Sequence, residues 1–267
     1  MNEKMTQAER LDFLVREFKA DSIDYKDLQT PGGVVGKRRL LRSLMNIRSP
    51  RHIDDLILKV QDEYLKGVAE EHGIVEVMEI PVRSDCLSIW QGDITRLSVD
   101  AIVNAANSQM LGCFIPMHNC IDNCIHTFAG VQLRDECNRQ MNQLRAKFGA
   151  DYEQPTGVPM LTDGYNLPAK KVIHVVGPIV QFNLTPLLEQ DLANCYINTL
   201  NMCLENNLKT VAFCCISTGV FHFPNERAAE IAVSTVRSWL SEHPGVMERV
   251  IFNVFKDEDR GYYEKLT

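Results

Sequence analysis

The sequence has no apolar run approaching the roughly 18 residues that a membrane-spanning helix needs. No apolar stretch stands behind the charged start M-N-E-K-M-T-Q-A-E-R either. Neither a membrane nor an export signal is expected, so the chain reads as cytoplasmic. It also lacks an excess of positive charge: 28 Lys and Arg stand against 35 Asp and Glu, a formal net charge of −7. A nucleic-acid partner held by neutralising phosphates is therefore not expected. Any anionic ligand must be held locally, by backbone amides and a few chosen side chains. The phosphate-cradling patterns G-x-x-x-x-G-K-[ST] and G-x-G-x-x-G are both missing. So is an even set of cysteines. Nine are present: Cys86, Cys113, Cys120, Cys124, Cys137, Cys195, Cys203, Cys214 and Cys215. With no export signal, reduced thiols or metal ligands are expected rather than a disulfide framework.

What is present is ordinary globular composition, 45% hydrophobic and 24% charged over 267 residues, enough for one large domain with an appendage. The two parts differ in texture. Residues 1–73 read as a helical extension. Leu11, Leu14, Val15 and Phe18 recur at helical spacing. After the breaker T-P-G-G, Leu40, Leu41, Leu44 and Ile47 share one face, with Arg38, Arg39 and Arg42 elsewhere as a solvated face or a basic patch. Ser49-Pro50 introduces a third helix that buries Ile53, Leu56, Ile57, Val60 and Tyr64. No chemistry is assigned to this portion.

Residues 74–267 alternate strands and helices. C-L-S-I-W (86–90), D-A-I-V-N-A (100–105), K-V-I-H-V-V (171–176), T-V-A-F-C-C-I (210–216) and R-V-I-F-N-V-F (249–255) are short apolar runs bounded by turn residues. Helical patterns cover about 121–146, 186–206 and 225–241. This alternation predicts a mainly parallel sheet covered on both faces, with ligands at the carboxyl ends of the strands.

Three strand-end loops carry unusual residues. In G-D-I-T, Asp93 can accept from an exocyclic amine such as that of adenine while the Ile94 amide donates to a ring nitrogen; Gly-Asp is also a common turn. In I-S-T-G-V-F-H-F-P, a small-residue loop feeding a helix presents backbone N–H groups to a diphosphate. Gly219 permits close approach, and Phe221 offers a face to a sugar. The third loop follows N-A-A-N. Cys113, His118 and Cys120 fall within eight residues just before a helix expected from Ile121, a donor set that suits zinc. Cys124 and His126 are the nearest candidates for a fourth ligand. Cys124 fits a core face with Ile121, Ile125 and Phe128. His126 shares a face with Asp122, so a hydrogen bond to it or a surface position is expected. Three ligands with an open position are the pattern of a catalytic zinc. Asp122 can orient a substrate hydroxyl or water, or serve the helix start. Zinc nucleobase deamination is disfavoured, since H-x-E and P-C-x-x-C are absent.

Taken together, G-D-I-T, V-D-A-I-V-N-A-A-N, I-D-N-x-I-H-x-x-A-G and I-S-T-G-V-F-H-F-P resemble the ligand loops of the macrodomain, an ADP-ribose-binding α/β/α fold. The likeness covers roughly 82–263. The usual Gly-rich loop after N-A-A-N is replaced by L-G-C-F-I-P-M-H-N-C. That replacement resembles the zinc-dependent branch of microbial protein-ADP-ribose hydrolases, which carry an N-terminal helical extension. The resemblance implies a three-layer α/β/α macrodomain sandwich with a mixed, mainly parallel sheet. It implies Asp93 and Ile94 at adenine, and Ser217, Thr218, Gly219, Val220 and Phe221 around the diphosphate and distal ribose. Asn107, Cys120, Ile121 and Asp122 complete the ligand site, with Asn107 and Asp122 as the catalytic pair. Phe255 would offer adenine an aromatic face, or else be a core strand residue. One zinc per chain would sit on Cys113, His118 and Cys120. The implied reaction removes mono-ADP-ribose from modified side chains, an Asp or Glu ester foremost. A non-catalytic ADP-ribose reader and a hydrolase of free acylated ADP-ribose are the alternatives. A lipoyl-carrier protein modified by a sirtuin-like transferase is the implied partner.

Overall fold

The computed structural model describes residues 5–267; the first four residues of the expected helical extension, which open the charged start, lie outside them. The chain opens with three helices, α1 (Gln7–Ala20), α2 (Gly33–Ile47) and α3 (Asp55–His72). Thr6 and Glu9 form a reciprocal capping box at the start of α1, a device that stabilises by about 1 kcal/mol. Leu11, Leu14, Val15 and Phe18 are buried as their spacing requires. They meet Leu40, Leu41, Leu44 and Met45 of α2 and Val60, Tyr64, Leu65 and Val68 of α3 in one apolar cluster. Two expectations fail here. Pro50 does not start the third helix, which begins at Asp55 behind the capping side chain of Asp54. Leu56 faces solvent although Val60 and Tyr64, further along the same face, are buried as expected, because this first turn lies outside the apolar cluster that they join.

After α3 come the short β1 (Val75–Glu76), β2 (Val82–Ser84), β3 (Leu87–Gln91), β4 (Leu97–Ser98) and β5 (Ala101–Ala106). Then follow α4 (Ile121–Ala129), α5 (Val131–Phe148), β6 (Met160–Asp163), β7 (Lys171–Val176), α6 (Pro186–Glu205), β8 (Thr210–Phe213), α7 (Asn225–Glu242), β9 (Arg249–Val254) and α8 (Asp257–Leu266). The main sheet has seven strands in the order β2-β3-β9-β8-β5-β7-β6. The five inner strands run parallel, and only the edge strands β2 and β6 are antiparallel. The sheet is mixed and mainly parallel, as expected. β1 and β4 form a separate parallel pair.

Helices α6, α7 and α8 pack side by side as one layer, while α4 and α5 form the other, with α2 and α3 against α4. The inner strands β7, β8 and β9 are buried along almost their whole length, as parallel strands between helical layers must be. Among the described residues no helix is long and apolar enough to cross a membrane.

Several elements differ from the sequence reading. The expected helix over 121–146 is two helices, because Gly130 takes a φ of 98° that ends α4 and redirects the chain into α5. The strand expected over 210–216 stops at Phe213, so Cys214, Cys215 and Ile216 lead into the ligand loop. The edge strand β6 and the last helix α8 carried too little apolar periodicity to be read. Because β3, β5, β7, β8 and β9 are parallel, the loops that follow them open on one edge of the sheet.

Candidate active site

The loop between β5 and α4 brings its three metal-type side chains together. Cys113 Sγ lies 3.5 Å from His118 Nδ1, and the ligand atoms of Cys113, His118 and Cys120 all lie within 4.8 Å of one another. A tetrahedral zinc with bonds of about 2.0–2.3 Å needs ligand separations of roughly 3.3–3.8 Å, so the donor set fits with only small closure. All three residues are half-buried. Burial, foremost, and the neighbouring Cys113 push the Cys120 thiol up to about 12. A thiol held this way resists ionisation until a cation joins it.

The loop is held from beneath. Cys120 caps α4, its sulfur accepting the Asn123 amide at 3.4 Å. The buried Asn123 side chain donates to the carbonyls of Cys113 (3.2 Å) and Ile115 (3.0 Å). Gly112 has a φ of 79°, and a Cβ there would lie 2.8 Å from the His126 ring, so the loop can turn only at a glycine.

Asp122 is not the capping residue. It points inward, 5% exposed, and its Oδ1 accepts from Asn104 Nδ2 at 2.8 Å. Oδ2 takes no protein partner among the described residues. Burial pushes its carboxyl up to about 6, against the lowering pull of the Asn104 bond and of Arg134. His126 is neither at the surface nor hydrogen-bonded to Asp122: it is buried, with Nε2 3.6 Å from Oδ1 and both ring nitrogens unpartnered. Its ring lies 5.9 Å from that of His174. Burial, then His174 and Arg134, hold its pKa well below the usual value.

His126, Cys137 and His174 form a second cluster of ligand-type atoms. His174 is already engaged, Nδ1 with Asn104 and Nε2 with Thr162, both at 3.0 Å. His174 is thus the centre of a hydrogen-bonded core beneath the loop, with His126 packed beside it unbonded. Its one signal in the sequence is His174 inside the apolar strand K-V-I-H-V-V, where a polar residue needs a partner.

Cys124 does not lie in the core. It is half-buried and turned toward α2, with its sulfur 3.7 Å from Arg42 Nη2. The core face of α4 is carried by Ile125 and Ala129, with Ile121 and Phe128 partly buried beside them. Asn107 is occupied locally, Oδ1 accepting the Gln109 amide at 3.0 Å and Nδ2 donating to Gly112 O at 3.3 Å.

The other loops flank this one. Asp93 Oδ1 accepts from the amide and hydroxyl of Thr95 at 3.0 and 2.7 Å. Its second oxygen and the buried Ile94 amide take no partner among the described residues. Phe255, just past β9, is 77% exposed, so it is no core residue. Its carbonyl accepts from Gln91, and Gly92 N–H bonds Val254 O at 3.0 Å, which places Phe255 beside the Asp93 turn.

In the loop after β8, the amides of Thr218, His222 and Phe223 bond within the loop. Those of Ser217, Gly219, Val220 and Phe221 take no partner among the described residues. The Ser217 hydroxyl is likewise buried and unpartnered, on a residue held at a φ of 66°. Four free amides and a free hydroxyl make an anion cradle ahead of α7.

The sequence profile of the Macro domain matches residues 103–232. The Protein-ADP-ribose hydrolase of Treponema medium is 47% identical over 266 residues, spanning 98% of this chain and 99% of the relative. That of Staphylococcus aureus (strain MRSA252) is 42% identical over 258 residues, 96% of this chain and 94% of the relative. Among solved structures, the Trypanosoma brucei macrodomain in complex with ADP-ribose superposes with a TM-score of 0.62 at 29% identity, covering 84% of this chain and 94% of that one. The Oceanobacillus iheyensis macrodomain with ADP does so with a TM-score of 0.60 at 35% identity, over 69% and 93%.

Proposed function

The chain belongs to the Macro domain family, and on that premise we propose that it hydrolyses ADP-ribosylated proteins with the help of one zinc ion. The bond cut joins C1″ of the distal ribose to a modified side chain, an ester to Asp or Glu. That it is a hydrolase of ADP-ribosylated proteins rests on relatives alike over nearly their whole length and so named. The zinc dependence rests on one observation: three thiol and imidazole ligands converge in the β5–α4 loop, next to the inward-facing carboxylate of Asp122.

In this reading adenine lies between the Phe255 ring and the Asp93 turn. The free oxygen of Asp93 accepts from the exocyclic amine, and the Ile94 amide donates to the ring. The unpartnered amides of Ser217, Gly219, Val220 and Phe221 hold the diphosphate without a basic patch, as an acidic chain must. Cys113, His118 and Cys120 would hold zinc, which when bound polarises an oxygen ligand as a Lewis acid. Asp122 Oδ2 accepts a hydrogen bond from the attacking water or from a ribose hydroxyl, and Asn107 faces the same ribose. The modified protein, on this reading, is a lipoyl carrier served by a sirtuin-like transferase.

The test compares wild type, zinc-depleted wild type and Cys120→Ala on an aspartate-linked ADP-ribosylated peptide. Zinc near one per chain, retained ADP-ribose binding in all three and turnover only in the zinc-loaded wild type are expected. Full activity in metal-free protein overturns the zinc mechanism. Binding without turnover in every form would make the chain a reader. Turnover confined to free acylated ADP-ribose would move the substrate off protein.

A further inference from the structure

The arginines of α2 stand out because the site described above does not use them. Arg38 pairs with Glu71 of α3 at 2.6 Å. Arg42 does something else. Its Nη2 donates to His118 O at 2.7 Å and to Asn123 Oδ1 at 3.0 Å. Asn123 is the buried residue whose amide nitrogen holds the carbonyls of Cys113 and Ile115. One guanidinium therefore grips the backbone of one metal-type ligand directly and that of another through a single side chain.

A second residue one turn along α2 repeats the pattern. Asn46, 1% exposed, accepts the Met117 amide through Oδ1 at 3.0 Å and donates to Thr127 Oγ1 at 2.9 Å. Arg134 of α5 closes the arrangement, donating to the carbonyls of Met45, Asn46 and Arg48 at the end of α2 and to Leu111 O at the start of the loop. Loop carbonyls or amides at Leu111, Met117 and His118 are thus all bonded to α2 or to the arginine that caps it.

We infer that α2 is a positioning element of the active site, with Arg42 and Asn46 holding the 111–120 loop in the shape that brings Cys113, His118 and Cys120 together. The loop needs outside support. It carries positive φ at Gly112 and Met117, as does Met110 just ahead of it, and Phe114, Ile115 and Pro116 at its tip are exposed, so its own contacts do not fix its shape. The inference rests on the zinc reading only for what the loop holds.

The experiment uses the full chain as wild type, Arg42→Met and Arg42→Lys. Methionine keeps the aliphatic stem at this half-buried site, the unfolding midpoint checks that folding is retained, and lysine restores one donor. Zinc affinity is measured by competition with a chromophoric chelator, amide exchange over 111–120 in metal-free protein, and thermal unfolding alongside. Arg42→Met is expected to weaken zinc by about tenfold or more and to speed exchange of the loop with little change in unfolding midpoint. Arg42→Lys recovers part of both. Zinc affinity equal to wild type overturns the inference, as does a loss that lysine does not recover and that tracks a general loss of stability. If wild type takes up no zinc, the metal reading fails by itself. Exchange then decides: faster exchange in Arg42→Met supports the clamp and unchanged exchange overturns it.

Discussion

Asn104 donates a 2.8 Å hydrogen bond to Asp122 from a strand position with no exposed surface. The same nitrogen lies 3.0 Å from His174 Nδ1, so the donor is fixed by the sheet and in turn fixes the carboxylate at the start of α4. Asn104→Ala frees Asp122 to rotate. Turnover is expected to fall roughly ten- to a hundredfold, the cost of a small misplacement of a reacting group. ADP-ribose affinity should move little, since adenine and diphosphate are held elsewhere. Single-turnover rates set beside calorimetric binding check this. An unchanged rate would remove Asp122 orientation from the mechanism.

Gly177 follows β7, and a Cβ built on it would collide with the Ser217 hydroxyl and lie 2.8 Å from Ile216 Cγ2. Gly177→Ala must push the anion cradle outward or twist Ser217 further from its already positive φ. ADP-ribose affinity is expected to drop by about tenfold or more, about 1.4 kcal/mol. Zinc uptake should be untouched, because Gly177 is remote in sequence from the 111–120 loop and does not bond it. Calorimetry with ADP-ribose and metal analysis on the same sample separate the two.

At the adenine end, Asp93→Asn is more telling than Asp93→Ala. One end of the new side chain can still accept from the Thr95 amide, as Oδ1 does now, but the free acceptor becomes an amide donor facing an amine. Affinity for ADP-ribose should fall by about 1–3 kcal/mol. Phe255→Ala, which removes an exposed ring, should cost about 0.5–1.5 kcal/mol. If neither substitution changes ADP-ribose binding, adenine does not lie at this turn.

Much of this site was legible because its residues are local. Cys113, His118 and Cys120 are neighbours in the chain, so a spacing argument alone brought them to one loop. G-D-I-T and I-S-T-G-V-F sit at strand ends that periodicity reveals. Interactions between distant segments were not legible. Arg42 and Asn123 are separated by 81 residues and Asn104 and His174 by 70, and no spacing rule reaches that far. The sequence leaves the arginines of α2 as a solvated face or a basic patch, because a charge run on a helix is usually solvated. The buried Asn46, polar among Leu44, Met45 and Ile47, was the signal that this face meets a polar partner. Gly130 was lost for a related reason: the apolar pattern continues across it, and only its left-handed φ shows that one helix has become two.

The hydrogen-bonded core beneath the loop makes one prediction about stability that needs neither ligand nor metal. Burial lowers the His174 pKa to about 3, while an unfolded chain titrates near the usual value of about 6.5. Between those values the unfolded state binds a proton that the folded state refuses, so stability rises with pH across that window. The contribution of His174 is present in full above about 6.5 and is lost as the pH falls toward about 3. The loss approaches about 1.4 kcal/mol for each pH unit inside the window. His126, lowered in the same direction by the same burial, steepens the slope. His174→Gln can keep amide bonds toward Asn104 and Thr162 but has nothing to protonate. Its unfolding free energy, measured in urea from pH 7 to pH 4 on chelator-treated protein, should therefore fall less steeply than that of wild type. It should be lower at pH 7, where a packed imidazole has been replaced, and the two curves should converge in acid. Parallel curves would mean that His174 takes its proton in the folded state as readily as in the unfolded one, and that the core beneath the loop is open to water.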